Sequence, residues 1–442
     1  MSRPAAAVIG GGLAGSEAAW VLASRGVRVT LHEMRPLSTT PAHRTGLLAE
    51  VVCSNSFGAD GPSSPAGILK QELRQLGSLM MSCADRARVP AGKALAVDRD
   101  IFSRLVTAAL EEHPLVKIER GECLSIPEGP VIIATGPLTS PAMAEEIKKL
   151  AGEEYLSFFD AIAPVVEADS IDMSIAFRRG RWGQGDDYIN CPFNRNEYGA
   201  FIRALTSAER TLPHDFEDSP SWFEGCLPVE VMASRGPDTL RFGPMRPVGL
   251  PLPGTGEEAW AVVQLRQDNR EGTLYNIVGF QTSLRWGEQE RVFRMIPGLA
   301  GAEFARFGVM HRNIYVNAPA VLDRRLRFKD GPKDLFLAGQ ITGVEGYLES
   351  TAMGMAAALN MAALLLEKPF PEWPRETAVG SLLHYLGDAI ERRFQPMNIN
   401  LGLFPPPGVR IRDKARRAEG AAVRADEAML PLLASLKELV VR

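Results

Sequence analysis

The stretch AAAVIGGGLAGSEAAWVLASRGVRVTLHEMRP, residues 5–36, decides the fold. Its first residues, 5–10, are short, apolar and uncharged, as in a buried strand. Gly10-x-Gly12-x-x-Gly15 follows at once. A helical pattern runs from about Leu13 to Ser24 and Gly26 ends it. A second strand, Val27 to His32, terminates in Glu33. Each part has a physical reason. Gly10 permits a tight turn, Gly12 lets the backbone approach a pyrophosphate, and Gly15 lets helix and strand pack closely. The start of the helix offers unpaired N–H groups and the positive end of its dipole to phosphates. Glu33 stands where it accepts hydrogen bonds from a ribose diol. Strand, glycine turn, helix and acid in this order predict a dinucleotide site. Its turn comprises Gly10, Gly11, Gly12, Leu13, Ala14 and Gly15.

Working outward, GPVIIATGP (129–137) reads as another buried strand, ending at Thr135 and Gly136. Near the far end, KDLFLAGQITGVEGYLESTAMGMAAALNMAALLLE gives a strand, a glycine-rich loop and a long helix. The three pieces together resemble the FAD-binding flavoproteins of the glutathione reductase type. In those, the late unit holds the ribityl chain and points its helix at the flavin. The resemblance assigns Gly339, Gln340, Gly346 and Tyr347 to the cofactor. Gln340 stands where such flavoproteins usually have Asp, and its amide still bonds a ribityl hydroxyl. The expected fold is therefore α/β, an FAD-binding Rossmann-like fold assembled from residues 1–137 and 331–442. Between them lies an inserted α+β substrate domain, 138–330, with strand-like runs such as EAWAVVQLRQ and LYNIVGFQ. The tail after NLGLFPPPG reads as one or two amphipathic helices.

Composition narrows the function. The chain has 442 residues, 45% hydrophobic, enough for a large core, and a net charge of only −4, so no overall basic field marks a nucleic-acid binder. Any RNA contact has to be local. Candidates are the basic loop FRRGRWGQG, with Trp182 interleaved, and the cluster Arg412, Lys414, Arg416 and Arg417. Five cysteines form no CxxC pair, which points to a reducing compartment. Six scattered histidines show no ligand spacing, so no metal is expected. The apolar helix near the end is broken by Asn360 and is too polar for a membrane span. A cytoplasmic protein without membrane or protein partners is the expectation.

Two cysteines draw attention. Cys53, in AEVVCSNSFGAD, follows an apolar run and heads a polar loop. Cys226 sits in a Gly-Cys-Leu-Pro turn that presents a side chain rather than burying it. The Cys53 setting equally suits a strand end with no chemistry to perform, and on its residues alone Cys226 reads first as a chance cysteine in a loop. The motifs IGGGLAGSEAAW, HEMRP, TPAH, VCSNS, GCLPVEVMA, GPMRPVGL, AGQITGVEGYLES and PMNINLGLFP together resemble the TrmFO family. Its members are folate- and FAD-dependent tRNA uracil-5-methyltransferases. The related flavoprotein MnmG shares the nucleotide fold and the late glycine loop.

The resemblance implies formation of 5-methyluridine in the T-loop of tRNA. It implies methylenetetrahydrofolate as carbon donor, reduced FAD as electron donor, and NAD(P)H as reductant of the flavin. It makes Cys53 and Cys226 the catalytic thiols and lays Tyr347 against the flavin. The chemistry is coherent. A thiolate adding to carbon 6 of uracil turns carbon 5 into a nucleophile, and the folate methylene needs two further electrons to become methyl. The expected roles are Cys226 as nucleophile and Cys53 as partner thiol or proton acceptor, with Asn55 and Ser56 bonding the flavin edge. Cys83, Cys123 and Cys191 read as structural. The rival readings are an FAD-dependent oxidoreductase of a small molecule, a MnmG-like wobble-uridine enzyme, and a flavoprotein that only binds RNA.

Overall fold

The computed structural model describes residues 3–40, 42–152, 155–211, 227–389, 391, 394–408, 411 and 413–440. A five-stranded parallel sheet organises the first layer. Its order is Leu335–Leu337, Val131–Ile133, Ala5–Ile9, Arg28–Glu33, Val116–Arg120. The strands Val131–Ile133 and Ala5–Ile9 are apolar on both faces, as strands covered on both sides require. The register aligns Val8 with Leu31 and with Ile132. Val131 also pairs with Leu335, 204 positions away, so the sheet is assembled from distant parts of the chain.

Two helices cover the end of this sheet where the turn lies. Leu13–Ser24 leaves the first strand, and Tyr347–Leu365 follows the late one. They cross closely because Gly354 has no side chain. A Cβ there would overlap the Ala14 carbonyl. The second helix is nearly all buried, which accounts for its apolar composition as that of a core helix.

A six-stranded, largely antiparallel sheet forms a second layer. Its order is Phe177–Arg178, Tyr188–Phe193, Ala261–Gln267, Leu274–Ile277, Val165–Glu167, Phe304–Arg306. It carries its own hydrophobic cluster around Phe193, Phe201, Phe280 and Phe293. The helix Pro141–Ala151 and the segment from Tyr315 to Phe328 pack in the first cluster, although both lie within the expected 138–330 segment. A small sheet, Ser56–Ala59, Ala94–Val97 and Arg88–Val89, joins the Cys53 loop to the rest. The tail forms one helix, Lys414–Leu436, which includes Pro431.

Candidate functional site

The glycine turn shapes the site first. Gly10 has φ +101°, and a Cβ there would sit 2.5 Å from the Ala134 carbonyl oxygen. A Cβ on Gly15 would overlap the Gly10 carbonyl, so only glycine lets the helix begin so close to the strand. Gly12 is different. Nothing lies within 4 Å of a Cβ built there. The space over Gly12 is open because the chain leaves it for something else.

Two cavities meet at this opening. One is lined by Gly10, Gly11, Gly12, Glu33, Arg35 and Thr135 among others. The second is lined by Gly12, Leu13, Ala14, Cys53, Thr135, Gly136, Gly339, Gln340 and Tyr347 among others. Gly12, His43, Thr135 and Leu138 border both. Both helix starts, at Leu13 and Tyr347, open on the second cavity. An elongated, negatively charged dinucleotide fits this shape: pyrophosphate over Gly12, adenosine toward Glu33, ring system toward Cys53 and Tyr347.

Glu33 lines the first cavity and also serves the chain. Its carboxylate accepts from Gly11 N at 2.8 Å and from Arg35 N and Nε at 2.9 and 2.8 Å. Burial alone would raise this carboxyl. The Arg35 bonds and charge and the Gly11 N–H outweigh it and hold the group below its ordinary range. Arg35 is itself buried and also meets Glu50 at 3.1 Å. The acid therefore fixes the turn whose floor it forms. Gln340 reaches Glu345, its Nε2 donating at 2.7 Å. Gly346, with φ +112°, is the turn before the second helix and does not border the cavity.

Cys53 is an unbridged, partly exposed thiol on the wall of the second cavity. Its loop is tied from several sides. Cys53 N and Ser54 N both donate to Tyr347 Oη, at 2.8 and 3.2 Å. Burial pushes the Tyr347 phenol well up, so it stays protonated. The Val52 carbonyl accepts from Arg99 Nη1 at 3.2 Å and Arg306 Nη1 at 3.0 Å. Arg99 is paired with Asp268 at 2.9 Å. Burial, with Arg99 and Arg44 nearby, lowers Arg306 to about 10, still protonated at neutral pH.

Two expectations are corrected here. Asn55 does not face the cavity. Its Nδ2 donates to Val97 O at 3.0 Å and Gln267 O at 2.9 Å, and its Oδ1 accepts from Arg266 Nε at 3.1 Å. Ser56 borders neither cavity and enters the strand paired with Ala94–Val97, its Oγ accepting from Gly58 N. The polar run is polar because it joins two sheets. Cys226 lies outside the described residues, as does Arg412. Cys83 and Cys191 are buried, whereas Cys123 lines the first cavity with its thiol donating to Ser125 O.

The basic loop is also reassigned. Arg181 donates to Gln264 Oε1, Val248 O and Arg246 O, and Arg179 to Pro251 O. These guanidiniums satisfy carbonyls of their own fold, whereas the Trp182 side chain is 66% exposed. Sequence reading missed His43, Leu138, Thr139, Arg99 and Arg306. His43 lay within the quoted TPAH, so a signal was present for it. The arginines carry none, because their partners are distant in sequence.

The comparisons with known proteins agree with this geometry. A family profile described as glucose inhibited division protein A matches residues 5–369. The methylenetetrahydrofolate–tRNA-(uracil-5-)-methyltransferase TrmFO of Moorella thermoacetica is 60% identical, covering 95% of this chain and 96% of its own length. The protein of that name from Desulforudis audaxviator is 56% identical over 98% of both. Among solved structures, Aquifex aeolicus GidA superposes with a TM-score of 0.67 at 16% identity, covering 99% of this chain and 75% of that one. That last likeness speaks to the fold.

Proposed function

The chain belongs to the glucose inhibited division protein A family and within it to the TrmFO methyltransferases, and on that premise we propose how it works. It is a folate-dependent tRNA (uracil-5-)-methyltransferase built on a flavoprotein fold. The finer reading is that its uridine lies in the T-loop, that NAD(P)H is the reductant, and that Cys53 and Cys226 are the working thiols. The observation that carries this reading is the place of Cys53. It is a partly exposed thiol on the wall of the cavity that the glycine turn and both helix starts share.

The residues present fit FAD, since the open space over Gly12 and the two helix starts suit its pyrophosphate and ring ends. Bound and reduced, FAD supplies the hydride that carries the transferred carbon to the methyl level. The protein's own groups do the rest. The N–H groups from Gly12 onward would hold the FAD phosphates, and Glu33 with Arg35 holds the turn. Cys226 adds through sulfur to uracil carbon 6, and the electron pair of the 5,6 double bond becomes an enolate. Carbon 5 takes up the one-carbon unit as the methylene's bond to the folate nitrogen breaks, and the carbon 5 proton passes to Cys53. The Cys226 sulfur then leaves carbon 6 and the double bond returns. A thiolate is needed at each step, and the Arg99 cation, whose charge meets that of Cys53, favours one there.

The test is denaturing gel analysis with a 5-fluorouridine T-loop RNA beside a methylation assay. Cys226→Ala should keep its flavin, form no covalent RNA adduct and transfer no methyl. Cys53→Ala should also stop turnover while still forming an adduct through Cys226. Wild-type rates from both variants would refute the thiol pair. A small-molecule oxidoreductase would show no dependence on the folate.

A further inference from the structure

Three distant segments converge on one peptide unit. The carbonyl of Val52 accepts from Arg99 Nη1 at 3.2 Å and from Arg306 Nη1 at 3.0 Å. The N–H of the same unit, on Cys53, donates to Tyr347 Oη at 2.8 Å. Both ends of the Val52–Cys53 peptide plane are therefore held, by partners 47, 254 and 294 positions away. A peptide is planar, so fixing its C=O and N–H fixes the Cys53 N–Cα bond, and the Ser54 N–H, donating to the same Tyr347 Oη at 3.2 Å, holds the following plane, so that the two planes together set the direction of the Cα–Cβ bond between them. That bond carries the Cys53 sulfur. Arg99 anchors to Asp268, and it donates to Val51 O as well. Among the described residues Arg306 has no carboxylate at ion-pair distance, and its guanidinium makes a charge-assisted bond to the Val52 carbonyl.

We propose that Arg306 is a positioning residue of the methyl-transfer reaction: with Arg99 and Tyr347 it locks the Val52–Cys53 peptide plane and so aims the Cys53 thiol into the cavity. Arg306 ends the edge strand Phe304–Arg306 of the antiparallel sheet. The lock therefore couples the second layer of the fold to the thiol, and a shift of that layer reorients the sulfur. The geometry of the lock stands independently, and its role in turnover rests on the function proposed above for Cys53.

The test uses the FAD-loaded protein with Arg306→Met and Arg306→Lys. The alkylation rate of Cys53 by iodoacetamide is read by peptide mass spectrometry at several pH values. The groups facing the thiol loop through such a titration are Tyr347, Arg99, Asp268, Arg44 and His43. The expected result for Arg306→Met is a five-fold or larger change in the Cys53 alkylation rate. Its kcat should fall ten-fold or more, with KM for tRNA within two-fold and flavin content unchanged. Arg306→Lys, which keeps a donor and a charge, should recover most of both. An unchanged alkylation rate, or a lysine variant as impaired as methionine, would overturn the proposal. A loss accompanied by flavin release would do so too, because it marks a merely structural role. Cys53→Ala, assayed alongside, keeps the two ideas apart. If it methylates normally, the role of Cys53 fails. If it is dead while Arg306→Met behaves as wild type, the positioning role fails.

Discussion

Replacing Gly12 with leucine separates what the turn does for the protein from what it does for its ligand. Gly12 has φ −73° and ψ −168°, extended backbone that any residue adopts. Nothing lies within 4 Å of a Cβ at this position. The apoprotein should therefore tolerate the change to within ~0.5 kcal/mol, as for a surface site. The ligand should not. A side chain over Gly12 fills the space through which N–H groups reach the pyrophosphate. Losing two charge-assisted bonds of roughly 1.5–3 kcal/mol each amounts to roughly 3–6 kcal/mol. That corresponds to about 10²- to 10⁴-fold weaker FAD binding. Gly15→Ala should behave in the opposite way. Its Cβ would collide with the Gly10 carbonyl, a backbone atom that has nowhere to move. The fold itself should lose ~3 kcal/mol or more, at or beyond the upper end of overpacking costs. Flavin-fluorescence titration gives the affinities, and melts of the flavin-free proteins give the stabilities. If Gly12→Leu binds FAD within ten-fold of wild type, or melts as low as Gly15→Ala, the reasoning about the turn is wrong.

The remaining predictions concern charges and the surface. Glu33 is held below its usual range in the fold, so its stabilising contribution is complete above about pH 4.5 and disappears as pH falls through the lowered value. Glu33→Gln should flatten that acid limb in thermal melts and cost roughly 1–3 kcal/mol at pH 7, since Arg35 keeps Glu50 as a partner. Glu72 behaves with the opposite sign. Burial raises it to about 8 despite bonds from Ala378 N and Val379 N, so its contribution to stability falls as pH rises from about 4.5 toward 8. Glu72→Gln should reduce this decline, and identical slopes for the two proteins would count against it. Arg181→Ala should lower the melting temperature, removing three bonds worth a total of roughly 2–5 kcal/mol. Trp182→Ala should leave the melting temperature unchanged and alter only RNA binding, read by filter binding. The reverse pattern would return the arginines to the RNA surface.

What was legible in the sequence is what local sterics dictate. The glycine turn spans six residues, and its geometry leaves little choice, so strand, turn, helix and Glu33 could all be read from it. The late unit was legible for the same reason, through Gly339 and the small residues of the Tyr347 helix. Asn55 was misread because a polar residue after an apolar run has two possible destinations, a ligand or another strand. Only the contact with Arg266, 211 positions away, decides between them. Arg181 was misread similarly, since an arginine in a loop looks the same whether it meets phosphate or a backbone carbonyl. Arg306 gave no signal at all. Its meaning lies in one carbonyl, that of Val52, brought to it by the packing of two sheets.

The most direct test of the central claim is mass spectrometry of an undermethylated T-loop RNA. It is incubated with the purified protein, NADPH, and methylenetetrahydrofolate labelled in its methylene carbon. The account predicts one labelled methyl group on carbon 5 of a single uridine, absent when folate or flavin is withheld. RNA that remains unlabelled while the flavin is turned over would contradict it.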